Sequence, residues 1–262
     1  MSLEPLHIVL GALSGSLVGL TLGLFGGGGS ILAVPLLVYL VGVTNPHVAI
    51  GTSAFAVGIS AVGNLVSHAR QSNVKWRCAG VFTAAGIAGA LAGSTLGKAV
   101  DGQRLLFLFA LPMLAVGALM FRTRSDAGDP NAECSMRTAP KLFGYGAMTG
   151  LFSGFFGIGG GFLVVPSLVA ATGMPMLEAI ASSLVAVAAF GLATSFNYAA
   201  AGLVDWPLAG IFIAGGLAGG LLGAGLARRL SRKEGLLKSA FATLIILVAL
   251  GMMWKNAVVI AG

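Results

Sequence analysis

The sequence predicts an all-α polytopic membrane protein made of two inverted-topology repeats of five apolar segments each: four long helices plus one short, glycine-broken or re-entrant helix. Three observations carry that prediction. Charged residues make up 9% of the 262 residues, whereas ordinary soluble domains carry about 25%. The stretch "LGLFGGGGSILAVP" (Leu22–Pro35) is nearly repeated by "FFGIGGGFLVVP" (Phe155–Pro166). Loops that correspond in the two halves carry opposite charge balance.

The apolar segments follow from the uncharged runs. No Asp, Glu, Lys or Arg occurs from Pro5 to Ala69, and further uncharged runs cover Leu142–Leu177, Ala179–Val204 and Trp206–Ala227. A membrane span takes about 20 apolar residues, so these runs hold several helices. The first half divides into segments near 6–24, 31–43, 48–68, 78–97 and 105–121, and the second into 142–156, 162–174, 179–201, 206–227 and 236–254. The second segment of each half reaches only about 20 Å as helix, less than the ~30 Å hydrocarbon core. It either stops part-way or folds back on the segment before it. The organisation read from this is a first transmembrane repeat over 1–121, a polar cytoplasmic linker over 122–141 and a second repeat over 142–262. The first helix lacks a basic leader and reads as a retained span, not a cleaved signal peptide.

The repeat is direct. Gly15, Gly19, Gly23 and Gly26 match Gly146, Gly150, Gly154 and Gly157; Gly28, Gly29 and Pro35 match Gly159, Gly160 and Pro166. One residue later in register, "AIGTS" (Ala49–Ser53) matches "AIASS" (Ala179–Ser183), and Trp76 matches Trp206. The formal net charge of +7 sits in short loops between apolar segments, which reflects orientation in a bilayer and not a nucleic-acid patch. Arg70, Lys75 and Arg77 make their loop cytoplasmic, while the corresponding loop holds only Asp205 and is external. Equivalent loops on opposite sides mean an inverted repeat, with both termini external. One loop, with Lys98, Asp101 and Arg104, must be external despite its two basic residues. Cys78 and Cys134 have neither a disulfide-framework nor a metal-site spacing.

Two glycine patterns need separate explanations. Gly11, Gly15, Gly19 and Gly23, spaced by four, let helix backbones approach closely in lipid, as do Gly89, Gly93 and Gly97. The consecutive glycines Gly26, Gly27, Gly28 and Gly29, and Gly157, Gly159, Gly160 and Gly161, instead lower helix propensity at membrane depth. Such irregular backbone is tolerated where protein buries it or water reaches it. A new helix is expected to start at Ser30 and at Gly161, with Pro35 and Pro166 as helix-breaking positions. Free N–H groups and the partial positive charge of a helix start make an anion cradle. Two such starts facing each other near the midplane match the site plan of secondary transporters. Thr52, Ser53, Ser182 and Ser183 add uncharged donors. Asn64, His68, Asn197 and Tyr198, further along the same helices, are candidates for coupling or gating. No metal site, cofactor motif or nucleophile–base pair is visible, and no Walker lysine follows the glycines. The chain therefore reads as a transporter and not an enzyme.

The paired breaks "GLFGGGGSILAVP" and "SGFFGIGGGFLVVP", with "AIGTS" and the later "NVKW" and "LVDW", resemble the TauE/SafE (TSUP) sulfite exporter family over essentially the whole chain. The resemblance implies transport of a small sulfur oxyanion or organosulfonate, such as sulfite, thiosulfate or sulfoacetate, across the bacterial inner membrane. Gly27 stands where Ile158 stands in the copy, so the two cradles need not contribute equally. The expected function is secondary transport by alternating access, with a proton or another ion as a possible coupling partner; a passive anion channel is the alternative. The oligomeric state is not legible.

Overall fold

Small residues every fourth position decide how this chain packs. The computed structural model describes residues 5–70, 73–122, 138–159, 161–230, 242–243 and 245–255, and every regular element among them is helical. The first half runs α1 (Pro5–Phe25), a 3₁₀ stretch (Gly26–Leu32), a single α turn α2 (Ala33–Pro35), a π turn (Leu36–Leu40), α3 (Pro46–Ala69), α4 (Trp76–Ala99) and α5 (Gly102–Arg122). The second runs α6 (Ala139–Phe156), α7 (Gly161–Thr172), α8 (Met176–Ala199), α9 (Trp206–Leu230) and α10 (Ile245–Lys255). Among the described residues five helices, α1, α3, α4, α8 and α9, are long and apolar enough to cross a membrane. Large side chains such as Leu6, Phe143, Phe196, Leu221 and Trp254 point outward, an arrangement suited to lipid and a liability in water.

α1 packs on α9 backbone to backbone. A Cβ at Gly15 would strike the carbonyl of Phe212, and one at Gly19 the carbonyl of Gly216. From the other side, Gly219 and Gly223 meet Ser16 and Leu20. Residue numbers rise together, so the two helices run in the same direction. α4 and α6 repeat this contact at the equivalent residues: Gly146 on Phe82, Gly150 on Gly86, Gly89 on Ala147, Gly93 on Leu151. Such close approach gains dispersion contact where the hydrophobic effect drives nothing, because lipid tails are as apolar as the helices.

The central pair behaves differently. Gly51 lies against Tyr198 and Leu203, and Gly58 against Ala188 and Leu192, so α3 and α8 cross antiparallel. α3 also lies beside α9 in parallel, with Gly216 on Ser60 and Gly220 on Asn64. Since α1 and α3 both run parallel to α9, the irregular stretch from Gly26 to Leu40 carries the chain back between them. α7 does the same after α6: Thr149 Oγ1 and Ser167 Oγ lie 3.1 Å apart, seven residues before the end of α6 and six after the start of α7. Both short segments end on a left-handed glycine at equivalent positions, Gly42 (φ 85°) and Gly173 (φ 75°), where a side chain would be strained.

Some expectations are corrected here. No separate helix starts at Ser30, because the 3₁₀ stretch runs unbroken from Gly26 through Leu32; glycines carry no side chains to eclipse at i and i+3 in that tight geometry. Pro166 does not break its helix: it is the sixth residue of α7, and its missing N–H costs only the bond to the Phe162 carbonyl in the first turns. Pro35 marks a change from α to π geometry and not an end. Cys78 is held in a disulfide. The linker is outside the described residues apart from Arg122 and 138–141.

Candidate functional site

The two breaks are built differently and meet in the interior. In the second half, Gly157 (φ 67°) ends α6 in a Schellman motif: its N–H reaches the Gly154 carbonyl and the N–H of Ile158 reaches that of Ser153, each at 3.3 Å. Gly159 is also left-handed (φ 64°), Gly160 lies outside the described residues, and Gly161 opens α7 as expected. In the first half the 3₁₀ stretch folds against α1, with Gly29 seated on the backbone of Thr21 and Leu22 and Thr21 Oγ1 donating 3.4 Å to the Gly29 carbonyl. That stretch also packs against α7 and α8. The sequence difference between Gly27 and Ile158 thus has a structural counterpart.

The second break adjoins the crossing of α3 and α8. A Cβ on Gly159 would lie 3.3 Å from Cγ1 of both Val57 and Val187, which are equivalent residues of the two halves. A side chain on Gly157 would strike Ile50, in the "AIGTS" segment. Ser30, Ile31, Ile158, Thr52, Ser53, Ser182 and Ser183 are fully buried. The groove beside Lys141, Gly144, Tyr145 and Met148 lies on α6 and is remote from the breaks.

The hydroxyls have defined partners. Thr52 Oγ1 accepts the Asp205 N–H at 2.9 Å, and Ser182 Oγ accepts the Lys75 N–H at 3.0 Å. Ser53 and Ser183 each donate to the carbonyl three residues back, Ile50 at 3.0 Å and Ile180 at 2.7 Å. Thr52 and Ser182 therefore keep a proton to donate, while Ser53 and Ser183 have committed theirs.

Antiparallel packing separates the other four candidates. Asn64 and His68 lie toward the C-terminal end of α3; Asn197 and Tyr198 lie toward that of α8, at the opposite end of the crossing. Asn64 Nδ2 donates 3.0 Å to the Ser60 carbonyl and the side chain rests on Gly220. His68 is buried. Asn197 Nδ2 donates to Ser94 Oγ (2.6 Å) and Thr95 Oγ1 (2.9 Å), fixing α8 to α4. Tyr198 is fully buried, its ring centroid 6.3 Å from that of His47. Sequence reasoning passed over Lys98, whose ammonium donates to Asn197 Oδ1 at 2.8 Å and to its carbonyl at 3.1 Å. The available signal was its match, through the repeat, to Arg228.

The fold therefore defines a polytopic helical membrane protein with two glycine-broken segments gathered at its centre. The chain matches the model of the family Sulfite exporter TauE/SafE over residues 11–252 and belongs to that family. It is 52% identical over 259 residues to a probable membrane transporter protein of Xylella fastidiosa (strain Temecula1), covering 98% of each chain. It is 27% identical to the probable membrane transporter protein YunE of Bacillus subtilis, covering 86% of this chain and 89% of the relative. A probable membrane transporter protein of Haemophilus influenzae is also 27% identical, with 95% and 98% covered. No solved structure matches the chain. It is an integral membrane protein of a transporter family.

Proposed function

We propose that the protein is a secondary transporter that carries a small sulfur-containing anion, such as sulfite, thiosulfate or an organosulfonate like sulfoacetate, across the bacterial inner membrane by alternating access. The observation that carries this reading is that the 3₁₀ stretch Gly26–Leu32 packs against α7 and α8, while Gly159 of the second break lies against Val57 and Val187 where α3 and α8 cross. An anion there loses its water, and main-chain N–H groups and the partial charge at the start of α7 replace part of that hydration.

The two halves act as inverted-topology repeats in this reading. Support comes from α3 and α8, equivalent in sequence yet antiparallel at matched residues, and from the equivalent α1–α9 and α4–α6 contacts. Inversion sets Gly26, Gly27, Gly28, Gly29 and Ser30 against Gly157, Gly159 and Gly161 across a pseudo-two-fold axis. Thr52 and Ser182 release their tethers as one face or the other opens. The termini lie on the external side.

Uptake of radiolabelled sulfite, thiosulfate and sulfoacetate by proteoliposomes, with and without an imposed proton gradient, tests the proposal. Saturable uptake driven above equilibrium is the expected result. Uptake that only equilibrates would make the protein a passive channel, and no uptake of any of the three would return the glycine breaks to a purely structural role.

A further inference from the structure

At the mouth formed by the start of α3 and the ends of α4 and α8, three groups lack the partners their chemistry calls for. Lys98 is half-buried, and among the described residues it makes no ion pair; its two hydrogen-bond acceptors both belong to the neutral Asn197. Its Nζ lies 5.9 Å from the ring centroid of Tyr198. Tyr198 is fully buried, yet its Oη has no hydrogen-bond partner, whereas a buried tyrosine hydroxyl ordinarily finds one. The His47 ring lies 6.3 Å from that of Tyr198, centroid to centroid, and its Nδ1 is buried and also without a partner. The nearby carboxylate of Asp101 is occupied in capping α5, accepting the N–H groups of Gln103 and Arg104 at 3.1 Å each.

An ammonium with an uncommitted third proton, a phenol O–H and an imidazole nitrogen can all donate to one oxyanion. The cluster also adjoins the second glycine break. A Cβ on Gly97 would lie 3.3 Å from Tyr198 Oη and would strike the carbonyl of Phe155, two residues before Gly157. The sequence repeats the pattern at the other mouth, where Arg228, Ser67 and His68 stand at the positions equivalent to Lys98, Asn197 and Tyr198.

We propose that Lys98, Tyr198 and His47 form a capture site for the transported oxyanion at this mouth, the anion taking the place of Asn197 as acceptor for Lys98. The proposal rests on the reading of the protein as an anion transporter. In the closed conformation Asn197 holds Lys98 neutrally solvated; an arriving anion offers a charge-assisted bond, which is roughly twice as strong as a neutral one.

The test is initial-rate uptake of labelled sulfite and thiosulfate by proteoliposomes holding the full chain, with thermal midpoints measured in detergent with and without each anion. Lys98→Gln is expected to raise KM about tenfold or more with Vmax largely kept, Tyr198→Phe about threefold, and Lys98→Arg to stay near wild type. Asn197→Ala separates capture from a mere helix clip: it frees Lys98 and leaves KM unchanged or lower, whereas a clip would make it resemble Lys98→Gln. Parallel loss in those two variants, or an unchanged KM in Lys98→Gln, overturns the capture site while leaving the transporter reading in place. If Lys98→Gln does not fold, Tyr198→Phe, which removes one oxygen, decides alone. A wild-type protein that neither takes up nor is stabilised by either anion would overturn both readings together.

Discussion

The hydroxyl of Thr52 accepts the main-chain N–H of Asp205 at 2.9 Å, tying α3 of one half to the loop before α9 of the other. The same bond recurs 130 residues along, where Ser182 accepts the N–H of Lys75 at 3.0 Å. The two tethers lie at opposite ends of the antiparallel α3–α8 pair. Among the described residues only the second is reinforced, by the Lys75–Glu178 ion pair at 3.5 Å, and partly exposed pairs of that kind add little.

Removing one tether should open one face. A buried hydrogen bond contributes about 1 kcal/mol, which is a factor of about five in a conformational equilibrium. Ala49 and Ala179, at equivalent fully buried positions beside the tethers, serve as reporters once changed to cysteine. Thr52→Val should speed maleimide labelling at position 49 about fivefold and leave position 179 unaffected, while Ser182→Ala does the converse. Equal changes at both positions, or at neither, would show that the tethers do not gate.

The glycine seams are predicted to set stability. At Gly19 and Gly150 there is no room for a Cβ against the carbonyls of Gly216 and Gly86, and forcing one in separates two helices along their length. Gly19→Val or Gly150→Val should remove most folded protein on size-exclusion chromatography or lower the thermal midpoint by several degrees. Gly80→Ala and Gly210→Ala, which face open space, should elute and melt like wild type.

Those seams were legible in the sequence because spacing by four encodes them directly, and so was the helical, membrane-spanning character of the chain. The breaks were legible as places and not as shapes. Four glycines permit either a left-handed turn or a 3₁₀ stretch, and packing against Thr21 and Leu22 selected the latter in the first half, whereas the second half placed Gly157 and Gly159 at positive φ. The grouping of Asn64 and His68 with Asn197 and Tyr198 looked natural because they share a repeat position range. The antiparallel crossing sends the two pairs to opposite ends. Lys98 went unread because a basic residue next to a loop looks like an orientation signal until its acceptors on α8 are seen.

Gly159 offers a sharper test of the anion cradle than of the fold. It combines a left-handed backbone with two valine methyls 3.3 Å from any added Cβ. Gly173 shares the backbone conformation (φ 75°) but faces open space, so it controls for strain, about 1–2 kcal/mol for a non-glycine residue in the left-handed region. Gly159→Leu, and Gly28→Leu at the equivalent position, should abolish anion uptake with expression retained. Gly173→Ala should cost a little stability and keep uptake. Wild-type transport by both leucine variants would remove the breaks from the substrate path.

The arrangement of the halves can be tested without transport. Trp76 and Trp206 open α4 and α9 at equivalent positions and are exposed to nearly the same degree, 57% and 56%, as expected of indole anchors at a membrane–water interface. With α3 and α8 antiparallel, the loops just before these tryptophans lie at opposite ends of the bundle. In a background lacking Cys78 and Cys134, Asn73→Cys and Ala201→Cys place one thiol in each loop. A membrane-impermeant maleimide applied to intact cells should label position 201 and spare position 73 until the membrane is opened if the basic residues Arg70, Lys75 and Arg77 set the latter loop in the cytoplasm, as the positive-inside rule predicts. Labelling of both from one side would mean that the halves are not inverted, and labelling in the reverse order would mean that the termini face the cytoplasm.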